Sequence, residues 1–168
     1  MKKYLIILSI SLISIGLAPL ASTQASSIAD KQEMTEKEQK NVETIRKLIQ
    51  GFVEGNTAQI NELVHEDFIN HHAPEGIQNR AGFHKIVEQV HGAFSTLDSF
   101  SLKPLHIFSK GDYVAMIDVG EGRRNGKQYN HVDIHVFIMK DGKMYQHWNS
   151  FGLPSQQEIL MKFMEETK

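Results

Sequence analysis

The chain has no cysteine. That excludes a disulfide framework, even in an oxidising compartment, and leaves stability to packing alone. It also excludes a lipid-modified cysteine after the apolar N-terminal run. Positive charge is scarce as well. The 168 residues carry 18 Lys and Arg against 20 Asp and Glu, and two of those bases, Lys2 and Lys3, lie in the first segment. Without them the net charge falls from −2 to −4. No basic stripe remains, which argues against nucleic acid as a partner. There is no internal repeat and no low-complexity segment.

What is present begins with a targeting pattern. Lys2 and Lys3 precede an apolar run from Tyr4 to Leu17, and Thr23-Gln24-Ala25 offers small residues for cleavage. The expectation is a signal peptide over residues 1–25 and an exported protein, periplasmic or secreted, with no membrane association after cleavage. The rival is an uncleaved anchor. The run is short for a span of about 20 apolar residues, and Gly16 and Pro19 interrupt its end. A flexible leader is expected over 26–34. The 143 residues after residue 25 suffice for one domain with a real core.

Thr35 and Glu38 fit a capping box. The helix that follows carries Val42, Ile45, Leu48, Ile49, Phe52 and Val53 on one stripe and stops at Gly55. Asn56 or Thr57 starts a short helix with Ile60, Leu63 and Val64. Asp67 to His72 reads as a short extended stretch, ended by a turn at Ala73-Pro74-Glu75-Gly76. A third helix is expected from Arg80 to Phe94. The period then changes to two, and strands are expected over Ser101–Phe108, Tyr113–Glu121, Gln128–Met139 and Met144–Phe151. A final helix, 154–168, would bury Ile159, Leu160, Phe163 and Met164. The order predicts an α+β domain over 35–153: helices packed on one face of a curved antiparallel sheet, a cone-shaped barrel with a cavity at its mouth.

The last hairpin concentrates the chemistry. Side chains alternate along a strand, so His131, Asp133, His135 and Phe137 share one face while Val132, Ile134, Val136 and Ile138 share the other. A three-residue loop with Gly142 as a bulge predicts Met139 opposite Lys143. His135 would then face His147, Asp133 would face Asn149, and Phe137 would face Tyr145. A two-residue loop would instead put Trp148 opposite His135 and turn His147 to the other side.

Asp133, between Val132 and Ile134, is costly to bury without purpose. It reads as a general base for a carbon acid, with His135 or His147 as acid or oxyanion partner. The bland alternative is an acid that only braces the barrel interior. His131, Tyr145, Asn149 and Tyr129 are expected to line the pocket, and His72 either joins them or is a solvent-exposed loop residue. His65, His84, His91 and His106 read as surface or helix-flank residues. His131 and His135 are four residues apart, about 13 Å on an extended chain, too far to share one ion. His135, His147 and Asp133 or His71 could meet around a metal, but this spacing assigns no metal and no cofactor.

Several segments resemble the SnoaL-like (polyketide cyclase-like) branch of the nuclear-transport-factor-2-like superfamily. They are Asp67-Phe68-Ile69-Asn70-His71-His72-Ala73-Pro74 with Gly76, Lys110-Gly111-Asp112-Tyr113-Val114, Val132-Asp133-Ile134, and Asp141-Gly142-Lys143-Met144-Tyr145-Gln146-His147-Trp148. The similarity runs from about Val42 to Phe151. It implies a cone-shaped α+β barrel, usually a homodimer, with a deep apolar pocket and polyketide cyclases and isomerases among its relatives. It places Asp133, His71 and His147 in that pocket and favours His71 over His72. Asn149 stands where many relatives carry an acid, and His135-Val136 where an aromatic-arginine pair is common. The expected function is binding of a small, largely apolar molecule bearing a carbonyl or hydroxyl group. Cofactor-free proton transfer through Asp133, His71, His135 and His147 would follow. The alternative is a non-catalytic extracytoplasmic binding module.

Overall fold

A computed structural model describes residues 33–150 and Glu165. The expected signal peptide and, apart from Glu165, the final helix lie outside the described residues, as does all of the expected leader except Glu33 and Met34. Three helices cover one face of a five-stranded sheet: α1 Glu36–Glu54, α2 Thr57–Leu63, β1 Val64–Asn70, α3 Arg80–Phe94, β2 Ser99–Lys110, β3 Tyr113–Arg124, β4 Lys127–Lys140 and β5 Lys143–Asn149. The sheet order is β1-β5-β4-β3-β2. The extended stretch expected from Asp67 is thus a full strand. It starts at Val64, which caps α2 instead of continuing it, and it runs parallel to β5 on the sheet's edge. Among the described residues no helix is long and apolar enough to cross a membrane.

Pro104 shows why β2 lies at the other edge. Proline gives no ladder N–H, so a central position would leave an unpaired acceptor. The pairing with β3 shifts between Pro104 and His106, and Leu105 bulges outward.

The β4–β5 hairpin corrects the expected register. The loop has two residues, with Asp141 at φ 53° and Gly142 at φ 73°, as a type I′ turn demands. Lys140 therefore pairs with Lys143 and Met139 with Met144. Tyr145 then forms an extra residue in β5, after which Ile138 faces Gln146, Phe137 faces His147 and His135 faces Asn149. The shorter loop and the bulge cancel in parity. His147 consequently stays on the face of His135, as expected, although its direct partner is Phe137.

The core is built from Ile45, Leu48, Ile60, Val64, Phe68, Phe83, Val87, Val114, Met116, Phe137, Met139 and Met144. A second, polar seam locks α1 to the sheet. Thr35 and Glu38 form the expected capping box. Glu38 Oε1 also accepts the Gly111 N–H at 2.8 Å. Asn41 Nδ2 donates to the Gly111 carbonyl at 3.1 Å, and Thr44 Oγ1 donates to the Gly142 carbonyl at 3.2 Å. These side chains follow one helix face at intervals of three and satisfy backbone groups at two hairpin turns.

The backbone N–H groups of Gly111 and Thr35 hold the Glu38 carboxyl below its usual 4.5. The ionised form is therefore favoured in the fold. Its contribution is complete above pH 4.5 and is lost as the pH falls through the lowered folded value. Glu38→Gln should lower the midpoint of chemical denaturation at pH 7, and the gap from the wild type should narrow on acidification. A gap that is constant down to pH 3 would contradict this assignment.

Candidate functional site

The helices and the sheet enclose a cavity of about 140 Å³. Its two walls differ in chemistry. From the helices come only apolar groups, among them Ile45, Leu48, Phe52, Phe83, Val90 and Phe94. From the sheet and the β1 exit come His72, Asp118, His131, Asp133, His135, His147 and Asn149, set among Phe100, Leu102, Met116, Phe137 and Met144. The inward faces of β3 and β4 explain this wall, because Asp118 pairs directly with Asp133, Met116 with His135 and Gly120 with His131.

Two carboxylate–imidazole groups result. In the first, Asp133 Oδ2 lies 3.4 Å from His131 Nε2, and Oδ1 accepts the Ser150 hydroxyl at 3.0 Å. Ser150 is fixed in turn: its Oγ accepts the Ile134 N–H at 2.9 Å, and its own N–H donates to the Ile134 carbonyl. In the second, Asp118 Oδ2 lies 3.2 Å from His135 Nε2, and His135 Nδ1 shares a 2.9 Å hydrogen bond with His147 Nε2. The His135 and His147 rings lie nearly parallel, and the His72 ring meets His147 edge-on at 4.8 Å.

Burial drives the histidine chemistry. His147 is pushed well below its ordinary value of 6.5, first by burial and then by its neighbours His135, His72 and His71. Burial and His135 push His72 down to about 4, against an opposing effect from Asp133. Both imidazoles are neutral at physiological pH and can donate or accept a hydrogen bond.

Of the residues singled out from sequence, Asp133, His135, His147, His131, Asn149 and His72 line the cavity. His71 does not. It is exposed on the outer sheet face, stacked on Trp148 at 4.0 Å with its Nε2 3.0 Å from Gln146 Oε1. The parity of β1 explains the exchange: Phe68 and Asn70 point inward, Ile69 and His71 outward, and His72 inward again. Tyr145 is also outside the cavity. Its bulge sets it edge-on to His65 at 5.3 Å and under the Lys140 ammonium. Tyr129 is buried against the His131 ring at 5.2 Å but does not reach the cavity wall. Burial and nearby Asp133 push its phenol up to about 12. His65, expected at the surface, is buried and accepts the Asp67 N–H.

Asp118 is the residue that sequence reasoning missed. Its signal was the alternation Val114, Met116, Asp118, Gly120 along a strand, which puts an acid in an apolar series.

Comparison with known proteins adds a family. The SnoaL-like domain matches residues 45–147. No curated protein matches. Among solved structures, a candidate polyketide cyclase from Bacillus cereus is 21% identical, with TM-score 0.61 over 75% of this chain and 86% of that one. TsrD from Streptomyces laurentii is 18% identical, with TM-score 0.59 over 74% and 97%. TerC, co-crystallized with polyporic acid, is 21% identical, with TM-score 0.56 over 75% and 98%. These likenesses concern the fold.

Gly120 gives the site a sharp test. A Cβ there would stand 1.9 Å from His131 Cε1, so the His131 ring occupies the space that a side chain would fill. Gly120→Ala should cost about 1–3 kcal/mol by overpacking. In a His131→Ala background the same change should cost much less. Equal penalties in the two backgrounds, measured by denaturant titration, would remove His131 from this position.

Proposed function

Because the chain belongs to the SnoaL-like domain family, we propose that its cavity binds a small, largely apolar molecule bearing a carbonyl or hydroxyl group and moves a proton on it. The observation that carries this reading is that every acid and imidazole of the cavity lies on the sheet side, among apolar residues, while the helix wall is wholly apolar. An apolar body would pack on the first, and its oxygen would meet the second. Asp133, held by Ser150 and beside His131, takes the proton from carbon next to the carbonyl. His147, neutral and hydrogen-bonded to His135, faces the developing enolate as a donor. No covalent nucleophile or organic cofactor is needed. The apolar N-terminal run supports action outside the cytoplasm.

The second reading, a non-catalytic binding module, is favoured by the engagement of both Asp133 oxygens, which suits a fixed hydrogen-bonding wall. One experiment separates the two. Cyclic ketones and 1,3-dicarbonyls that bind the protein would be followed by NMR for deuterium uptake from D2O. The enzyme should accelerate exchange, and Asp133→Asn should reduce that acceleration by about 10²-fold or more while binding persists. Exchange that survives the substitution would refute Asp133 as the base. Bound compounds that never exchange would leave the carrier.

A second copy is proposed to cover the outer sheet face. Val132, Ile134, Val136 and Trp148 are 52%, 55%, 38% and 37% exposed there, an apolar patch uncommon on a monomer. The expected assembly is a homodimer. Ile134→Glu should convert it to monomer in sedimentation velocity, and a wild-type monomer at micromolar concentration would overturn the proposal.

A further inference from the structure

We propose that Asp118, Asp133 and His135 form a binding site for a divalent transition-metal ion in the sheet wall of the cavity. One oxygen from each acid and one ring nitrogen of the histidine all lie within 4.8 Å of one another. Bonds of about 2.0–2.2 Å to a common tetrahedral ion set ligand atoms about 3.3–3.6 Å apart, so the three side chains would draw together by about an ångström around it. The set arises across strands, from the direct Asp118–Asp133 pair and from His135 two residues further along the same inward face. The spacing argument against His131 and His135 sharing an ion therefore does not apply to it.

Asp118 supplies the independent observation. It is fully buried, it lines the cavity, and neither of its oxygens has a hydrogen-bond partner. His135 Nε2, 3.2 Å from Asp118 Oδ2, likewise makes no hydrogen bond of proper geometry. A carboxylate held this way in apolar surroundings is costly unless a cation or a donor reaches it. The supports of the three ligands are also of the kind that metal sites use. His135 is oriented through its other nitrogen by His147, and Asp133 is fixed by Ser150. Mixed carboxylate and imidazole donors without thiolate suit Mn²⁺, Fe²⁺, Co²⁺ or Zn²⁺, and the imidazole disfavours Ca²⁺ and Mg²⁺. Two carboxylates would neutralise such an ion, and an oxygen of a molecule in the cavity could complete its shell.

The inference goes beyond the proton-transfer reading and does not depend on it, because protein groups alone would hold the ion. The two share Asp133. In the metal-loaded protein one Asp133 oxygen would be a ligand, and the ion would supply polarisation of a bound carbonyl.

The test uses the full chain, stripped with a chelator and titrated with Zn²⁺ and Co²⁺ by calorimetry, with the Co²⁺ visible spectrum as a geometric readout. One ion per chain is expected, with a raised melting temperature. Asp118→Asn and His135→Gln should each weaken binding by about 100-fold or more. His147→Ala should weaken it by about 10–100-fold through the loss of His135 orientation. His71→Ala, on the outer face, should leave it unchanged. Should Asp118→Asn fail to fold, His135→Gln carries the same test. Absence of stoichiometric binding, or binding that survives the ligand substitutions, would overturn the site. Deuterium exchange by the metal-free protein would be untouched by that outcome, so the two readings can fail separately.

Discussion

Two hairpin turns and one helix face hold this domain in register. Gly111 and Gly142 sit at the tips of the β2–β3 and β4–β5 hairpins, and their backbone groups are satisfied by Glu38, Asn41 and Thr44 of α1. All three side chains are buried, so losing any one would strand a buried polar group. The seam fixes the first part of α1 over the turns. The apolar positions Ile45, Leu48 and Phe52 are thereby laid over the centre of the sheet as a cavity wall.

The opposite wall follows from alternation. On β3 and β4 the inward positions change from apolar to ionisable and back. Val114, Met116 and Asp118 lead to Gly120, while Tyr129, His131, Asp133 and His135 lead to Phe137 and Met139. The acids and imidazoles sit mid-strand, where the helices cover them. Pairing makes such burial tolerable. Asp133 has Ser150 and His131, and His135 has His147. Asp118 has only the His135 ring at 3.2 Å and no hydrogen bond, so it is the group with the clearest need of a further partner.

How much of this was legible depends on whether the signal was periodic or cross-strand. The three helices and the inward face of β4 follow from spacing alone, and the structure agrees with them. Thr35 and Glu38 declared their capping box. The β4–β5 register was harder, because Asp141-Gly142 fits a two-residue turn and nothing in the sequence announces a bulge at Tyr145. His71 and His72 are adjacent and chemically identical, so only the pairing of β1 beside β5 decides which faces the cavity. Asp118 lies fifteen residues from Asp133 and meets it only through the β3–β4 register. Ser150 reaches Asp133 from beyond the end of β5, a tertiary contact with no local pattern.

The bulge at Tyr145 gives β5 one residue of slack between its turn and its functional side chains. Deleting that residue would leave an uninterrupted ladder in which Met139 still faces Met144 and Ile138 still faces Gln146. His147 and Asn149 would keep their orientation. Deleting Gln146 instead would have the same result, because Tyr145 would then face Ile138 and His147 would still face Phe137. The hairpin thus holds a place where the lineage of this fold can lose one codon without turning its chemistry inside out.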